Sequence, residues 1–261
     1  MNPHILVSVE HVTAPLLESL SAQQVGIELS CFANPHLLDS PDLDAAVTKH
    51  RDLLAGFDLP ITMHGAFYDL NPVARDPMIL NVCRTRIRQS LDVARRLGIH
   101  KVVFHANYVH SNHTQYQQHW TEKQAAFWSE FIPALEAEGT SIHIENTREE
   151  NASYIDGVVR SIGHPLVSIC YDTGHSHCFI DSKISPVHWV QTYESRLGYV
   201  HLHSNHGRFD EHIAYTKGTV NFDGFWEAFT ALDPLPYLII EVKQREDFLE
   251  SIAALRQRFP I

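Results

Sequence analysis

VHLHSNHGRFDEH, residues 200–212, crowds four histidines and one aspartate into thirteen positions directly after an apolar run. Neutral imidazole and carboxylate are the ligands that zinc, manganese and iron accept. His201, Asp210 and His212 fall where a strand gives way to a loop. A single histidine at such a point is more often satisfied by a neighbour than by a metal, so the weight lies in recurrence. His64, His105, Glu145, the Asp172/His175 pair and Glu241 each stand at the end of a short apolar run of their own. Satisfied-core or surface positions would scatter over both ends of strands and over helices. These residues mark one end of a repeated strand, and that repetition decides the fold.

Working outward, strands are expected at residues 5–9, 24–29, 61–64, 101–106, 141–146, 166–172, 197–203 and 237–242. Helical patterns follow them: one starting at 16–20 after Pro15, one at 42–54 opened by Ser40 and Pro41, and the longest from Asp76-Pro77 to Gly98. In that longest helix Leu80, Cys83, Ile87, Leu91 and Ala94 recur at steps of three and four, while Arg84, Arg86, Arg88, Arg95 and Arg96 form a solvated face. Further helices are expected at 121–138, at 152–161, from about Pro186, and at 246–258. Eight strands thus alternate with helical patterns along the chain. Alternation of this kind implies parallel strands with covering helices, and eight repeats in about 250 residues favour a closed barrel over an open sheet. The expected fold is α/β, a (β/α)8 TIM barrel, with residues 1–261 as a single domain. In such barrels the active site lies at the C-terminal ends of the strands, where every polar residue named above falls.

At 261 residues the chain is long enough to bury a full core. Lys+Arg 20 against Asp+Glu 31 gives a net charge of −11, which argues against unaided capture of polyphosphate, and 19 histidines favour a histidine-rich site. Cys31, Cys83, Cys170 and Cys178 form no CxxC pair, nothing at the N-terminus reads as a charged leader, and no GxGxxG follows a strand. A reducing cytoplasm fits this usage. No apolar segment approaches the roughly 20 residues needed to span a bilayer, so no membrane partner is expected. Residues 108–120, with Tyr108, Tyr116, Trp120, His110, His113 and His119 but no lysine or arginine, form a candidate active-site loop. Its aromatics either stack on a sugar or pack the loop.

HGAFYDLNP from His64, VVFHANY from Val102, IHIENT from Ile142, CYDTGH from Cys170, the opening stretch, and IIEV from Ile239 together resemble the xylose isomerase-like TIM barrel superfamily. That group includes endonuclease IV and many sugar or sugar-phosphate isomerases and epimerases. The resemblance runs in order through the third to eighth strands. In endonuclease IV the matching positions bind three zinc ions, which implies His64, His105, Glu145, Asp172, His175, His201, Asp210, His212 and Glu241 as ligands here. The smaller isomerase and epimerase set corresponds to Glu145, Asp172, His201 and Glu241, which in those relatives hold one divalent metal. With all nine positions filled, two or three ions are expected, drawn from zinc, manganese and iron. The chain departs from endonuclease IV at Ala106-Asn107, at Thr147-Arg148-Glu149-Glu150 and at Ser204, and from the sugar-isomerase-like pattern at Ser204 and in the YTKG of residues 215–218.

Two chemistries compete on this scaffold. In the first, a metal-assisted isomerisation or epimerisation of a sugar or sugar phosphate, Glu145 and Glu241 act from opposite sides as base and acid. In the second, zinc-dependent cleavage of a phosphodiester at an apurinic site, the ions supply hydroxide and neutralise the leaving oxygen. A third reading, a metal-binding barrel without turnover acting as a sensor, is set against the rule that open metal sites in barrel mouths are usually catalytic. The departures, and loops without an aromatic-interleaved basic groove, favour a small-molecule sugar over nucleic acid. Lys217, Arg148 and His203 are the expected substrate contacts, with Arg208 a further cation near the site; the oligomeric state is left open.

Overall fold

The computed structural model describes residues 2–111, 115–179 and 184–259. Strand β1 (Ile5–Val9) leads to helix α1 (Ala14–Gln23), β2 (Gly26–Leu29) to the short α2 (Pro35–Leu38) and α3 (Leu43–Leu54), and β3 (Ile61–His64) to α4 (Pro77–Leu97). Next, β4 (Lys101–His105) leads to α5 (Tyr116–Ser129) and α6 (Ile132–Glu138), and β5 (Ser141–Glu145) to α7 (Ser153–Ile162). Last, β6 (Val167–Asp172) leads to α8 (His175–Cys178) and α9 (Pro186–Tyr193), β7 (Leu197–Leu202) to α10 (Phe225–Thr230), and β8 (Tyr237–Ile240) to α11 (Arg245–Arg258). All strands pair in parallel in chain order, and β1 pairs with β8 through Leu6 and Ile239, which closes the barrel.

Alternation along each strand sorts the side chains. Leu6, Val103, Cys170, Tyr199 and Ile239 fill the barrel interior as one cluster, while Val7, Ile27, Met63, Phe104, Ile144, Tyr171 and Leu238 face the helices. Between barrel and helices Trp120, Trp128, Trp189 and Phe225 are fully buried. Each large apolar side chain so removed from water contributes roughly 1.5–3 kcal/mol. The helices begin and end on chemistry visible in the chain: Asp76 accepts from Met78 N at 2.8 Å to open α4, and Gly98, at φ 70°, closes it in the left-handed region.

Two buried hydrogen-bond links tie helices to the strand ends that carry the polar residues. Ser90 Oγ of α4 accepts from Ala66 N at 3.0 Å, just past His64. Gln124 of α5 donates to Ala106 O at 2.6 Å and accepts from Trp128 Nε1 at 2.8 Å, just past His105. The helix expected at 121–138 is two helices. Pro133 lacks an N–H, and its ring conflicts with the carbonyl four residues back, so α5 stops at Ser129 and α6 restarts at Ile132. The fourth-strand loop is also shorter than expected, because α5 already begins at Tyr116. Its aromatics pack the loop: Tyr108 and Trp120 are buried against each other and Tyr154, at ring separations of 5.1 to 5.6 Å. His113 of this segment lies outside the described residues.

Candidate metal centre

At the C-terminal mouth of the barrel the expected ligands come together from six strand ends. His64 leaves β3, His105 leaves β4, Glu145 leaves β5, Asp172 leaves β6 with His175 one turn on, His201 leaves β7, and Glu241 follows β8. Asp210 and His212 return on the loop after β7, held by an antiparallel bridge between Ser204 and Ile213. Glu145 is the hub. Its oxygens lie 3.3 Å from His64 Nε2, 3.5 Å from His105 Nε2, 3.2 Å from His175 Nδ1 and 3.4 Å from His201 Nδ1. His201 Nδ1 is also 3.0 Å from Glu241 Oε2 and 3.9 Å from Asp172 Oδ2. A third group gathers around Asp210 Oδ2, 3.5 Å from His175 Nε2 and 2.8 Å from His212 Nε2.

The donor atoms fit a metal better than they fit one another. Glu145 Oε1 and Oε2, His201 Nδ1, Glu241 Oε2 and Asp210 Oδ1 are buried and make no hydrogen bond of acceptable geometry, although their neighbours are close. Bonds of about 2.0–2.2 Å in tetrahedral array place ligand atoms roughly 3.3–3.6 Å apart, which is the spacing of His64 Nε2, His105 Nε2 and His201 Nδ1 from the Glu145 oxygens. His64/Glu145/His201, Glu145/Asp172/His175, Asp172/His201/Glu241 and His175/Asp210/His212 each hold their donor atoms within 4.8 Å of one another. The rings are oriented from behind. His64 Nδ1 faces Gly65 O at 2.9 Å, His175 Nδ1 faces Asn146 O at 3.0 Å, and His212 Nδ1 faces Glu241 O at 3.2 Å. Donation to those carbonyls leaves each Nε2 as the free donor atom.

Electrostatics follow the same geometry. Burial pushes His105 down to about 3, the Glu145 charge offsetting only part of it, so His105 is a neutral imidazole. Burial also opposes charge on His175 and His201, but Asp172, Asp210 and Glu145 raise the first, and Cys170, Glu145, Glu28 and Glu241 the second. His212 is lifted to about 9 because Glu241 and Asp210 outweigh its burial. Burial likewise opposes charge on Glu145 and Glu241, yet His201 and His175 hold the first, and His201 and His212 the second, below the ordinary carboxylate range. A divalent ion entering the group displaces the protons on these histidines.

The mouth above these residues is a cavity of about 590 Å³ lined by His64, Phe67, Tyr68, His105, His175, Asp210, His212 and Glu241 on one side. Ser8, Glu10, His11, Ser30, Cys31, Asn34 and Lys243 line the other. Glu241 borders this space with 22% of its side chain exposed, whereas Glu145 lies deeper at 1%. The expected substrate contacts fall elsewhere. His203 is fully buried and reaches both oxygens of Asp172 at 3.0 Å, so it braces that carboxylate. Lys217 turns to Asp247 and Glu250 at 2.7 and 3.1 Å. Arg148 lies 4.6 Å over the ring of Phe179, which in turn packs on His175. Arg208 lies over the exposed ring of Phe209.

Two residues missed in the sequence belong to the site. Asn146 clamps Asp172 in both directions, donating to its carbonyl at 3.1 Å and accepting from its N–H at 2.8 Å. Glu28, on β2, lies 3.2 Å from His201 Nε2. Its signal was a lone carboxylate at inward parity within the apolar run QVGIEL.

The family profile described as xylose isomerase-like TIM barrel matches residues 24–258. An uncharacterised protein of Methanocaldococcus jannaschii is 23% identical over 245 residues, covering 92% of this chain and 91% of its own. Among solved structures, a Thermus thermophilus protein soaked with zinc chloride superposes at a TM-score of 0.77 with 20% identity, over 98% of both chains. A D-tagatose 3-epimerase-like protein gives 0.76 with 24% identity, over 98% of this chain and 96% of the other. D-psicose 3-epimerase of Clostridium cellulolyticum, solved with D-tagatose, gives 0.73 with 16% identity, over 98% of both chains. Among the described residues no helix is long and apolar enough to cross a membrane.

Proposed function

The chain belongs to the xylose isomerase-like TIM barrel family, and from that premise we propose that it is a divalent-metal-dependent isomerase or epimerase of a sugar or sugar phosphate. The observation that carries the reading is the convergence of Glu145, Asp172, His201 and Glu241, the first, third and fourth with buried donor atoms that have no hydrogen-bond partner, beneath a cavity of about 590 Å³. That volume suits a monosaccharide, and the epimerases among the similar structures support the choice. Glu145, Asp172, His201 and Glu241 would hold the ion between them. Bound there, a divalent cation polarises a carbonyl oxygen and so acidifies the adjacent C–H.

The rest is work for the chain's own side chains. Glu241, bordering the cavity and held ionised by His201 and His212, takes the proton from the carbon next to the carbonyl. For inversion, Glu145 first takes up a proton from His175, whose Nδ1 lies 3.2 Å from it, and delivers that proton to the opposite face of the carbon while Glu241 keeps the one it removed. Return by Glu241 to the neighbouring carbon moves the carbonyl along the chain. Phe67 and Tyr68 line the cavity and give a sugar ring an aromatic wall to lie against.

A second reading, phosphodiester cleavage at an abasic site, is favoured by one observation: His64, His105, Asp210 and His212 exceed what one ion needs. Against it, Lys243 is the one lysine or arginine among the cavity-lining residues, and its ammonium already donates to Asp210 O at 2.9 Å. Clamping a duplex takes several phosphate contacts from several loops. The test is incubation of metal-loaded protein with a panel of ketoses and aldoses in deuterated water, read by NMR. The expected result is exchange at the carbon next to the carbonyl, lost in Glu241→Gln. No exchange with any sugar, together with cleavage of an abasic-site duplex that is lost in His105→Ala, would transfer the assignment to the endonuclease.

A further inference from the structure

Glu28 lies on β2, in register with Ser8 of β1 and Thr62 of β3, and is fully buried inside the barrel. A buried carboxylate carries a penalty of several kcal/mol unless it is well partnered, so it needs a reason where a valine would pack. Its two oxygens stand 3.2 and 3.4 Å from His201 Nε2, on the side of the ring away from the mouth. The other ring nitrogen, Nδ1, looks toward Glu145, Asp172 and Glu241.

We infer that Glu28 is a positioning residue for the metal centre, accepting the Nε2 proton of His201 so that Nδ1 is presented to the ion as a bare lone pair. The inference rests on the metal-binding part of the proposed function. Its physical basis is competition for one proton. A neutral imidazole carries a single N–H, and Glu241 Oε2, 3.0 Å from Nδ1, is close enough to draw that proton to the mouth side. Were it to sit there, the ligand atom would be capped and the ring would bond Glu241 rather than a cation. A carboxylate behind the ring reverses the preference and also fixes the ring plane. Histidine ligands to metals almost always donate their second N–H in this way, and losing the acceptor typically lowers metal affinity 10–100-fold.

The test compares wild type, Glu28→Ala and Glu28→Gln by competition of Zn²⁺ between protein and a chromogenic chelator. Metal-free melting temperatures are measured alongside, and the His201 ring of the zinc-loaded protein is read by ¹⁵N NMR. Glu28→Ala is expected to weaken the tightest zinc site roughly 10–100-fold, the metal-free melting transition serving only to show that the variant folds. Glu28→Gln keeps an oxygen that accepts the same proton and should restore affinity to within a few-fold of wild type. NMR should find the proton on Nε2. A folded Glu28→Ala with unchanged zinc affinity, a glutamine variant as weak as the alanine one, or a proton on Nδ1 would each overturn the inference. Should the alanine variant fail to fold, the glutamine variant and the wild-type tautomer decide alone. A wild type that takes up no zinc overturns the metal reading itself, a result separable from a wild type that binds and a Glu28→Ala that binds equally well.

Discussion

Gly174→Ala adds one methyl group, and its effect can be worked out from the structure. Gly174 sits at φ −79°, ψ −42°, an ordinary right-handed conformation that any residue adopts. Backbone freedom is therefore not the reason for glycine, and without a clash alanine there would stabilise the fold by about 0.4–1 kcal/mol through the unfolded state. A Cβ at this position, however, would stand 2.0 Å from His203 Cε1 and 2.4 Å from its Nδ1. Comfortable carbon contacts lie near 3.5–4.0 Å, so the ring must retreat by roughly 1.5–2 Å. It is not free to do so. His203 bonds both oxygens of Asp172 and stacks on His212 at 4.1 Å between ring centroids. Overpacking of this kind costs about 1–3 kcal/mol, which in a chain of this size lowers the melting temperature by about 2–4 °C per kcal/mol. Asp172 loses its brace at the same time, so zinc affinity falls too. Thermal melts and chelator competition measure both effects. In a His203→Ala background the penalty should largely vanish, with a coupling energy of about 0.5–3 kcal/mol. A Gly174→Ala protein that melts at or above the wild-type temperature with unchanged zinc affinity would refute the packing argument.

Glu145→Gln and Glu241→Gln should each abolish sugar conversion and leave a protein that still folds without metal, its melting temperature lowered where the facing histidines are protonated. Loss of folding in Glu145→Gln irrespective of metal would instead make that carboxylate structural. The metal-free protein should lose stability as pH rises. His212, raised to about 9 against burial by Glu241 and Asp210, contributes fully below about 6.5 and stops contributing as pH passes about 9. Glu149, raised to about 7 by burial, adds a loss between its ordinary range and neutrality. Zinc should reverse the trend across pH 6 to 8, since protons compete with it for the same nitrogens; a metal-free melting temperature that climbs from pH 6.5 to 9 contradicts this reading.

The barrel was legible because hydrophobic alternation and strand-end polarity repeat locally, and His64, His105, Glu145, Asp172, His201 and Glu241 each announce a strand end. What escaped the sequence depends on contacts distant along the chain. Glu28 lies within a strand rather than at its end, and its partner His201 is 173 positions away. His203 looks like its neighbour His201 in sequence, and only the closed barrel shows it bracing Asp172. Lys217 was an available cation until α11 brought Asp247 and Glu250 to it. By contrast, Pro133 stood in plain view and is enough to explain why α5 and α6 are two helices.

The central claim is that these side chains are a metal centre, and metal content tests it most directly. Protein purified without chelator, analysed for zinc, manganese and iron and located by anomalous scattering in a crystal, should hold at least two ions. They should lie between Glu145 and its surrounding histidines, and at the His175/Asp210/His212 group. A stoichiometry of one or less, with His64, His105, Asp210 and His212 turned away from any ion, would contradict the account.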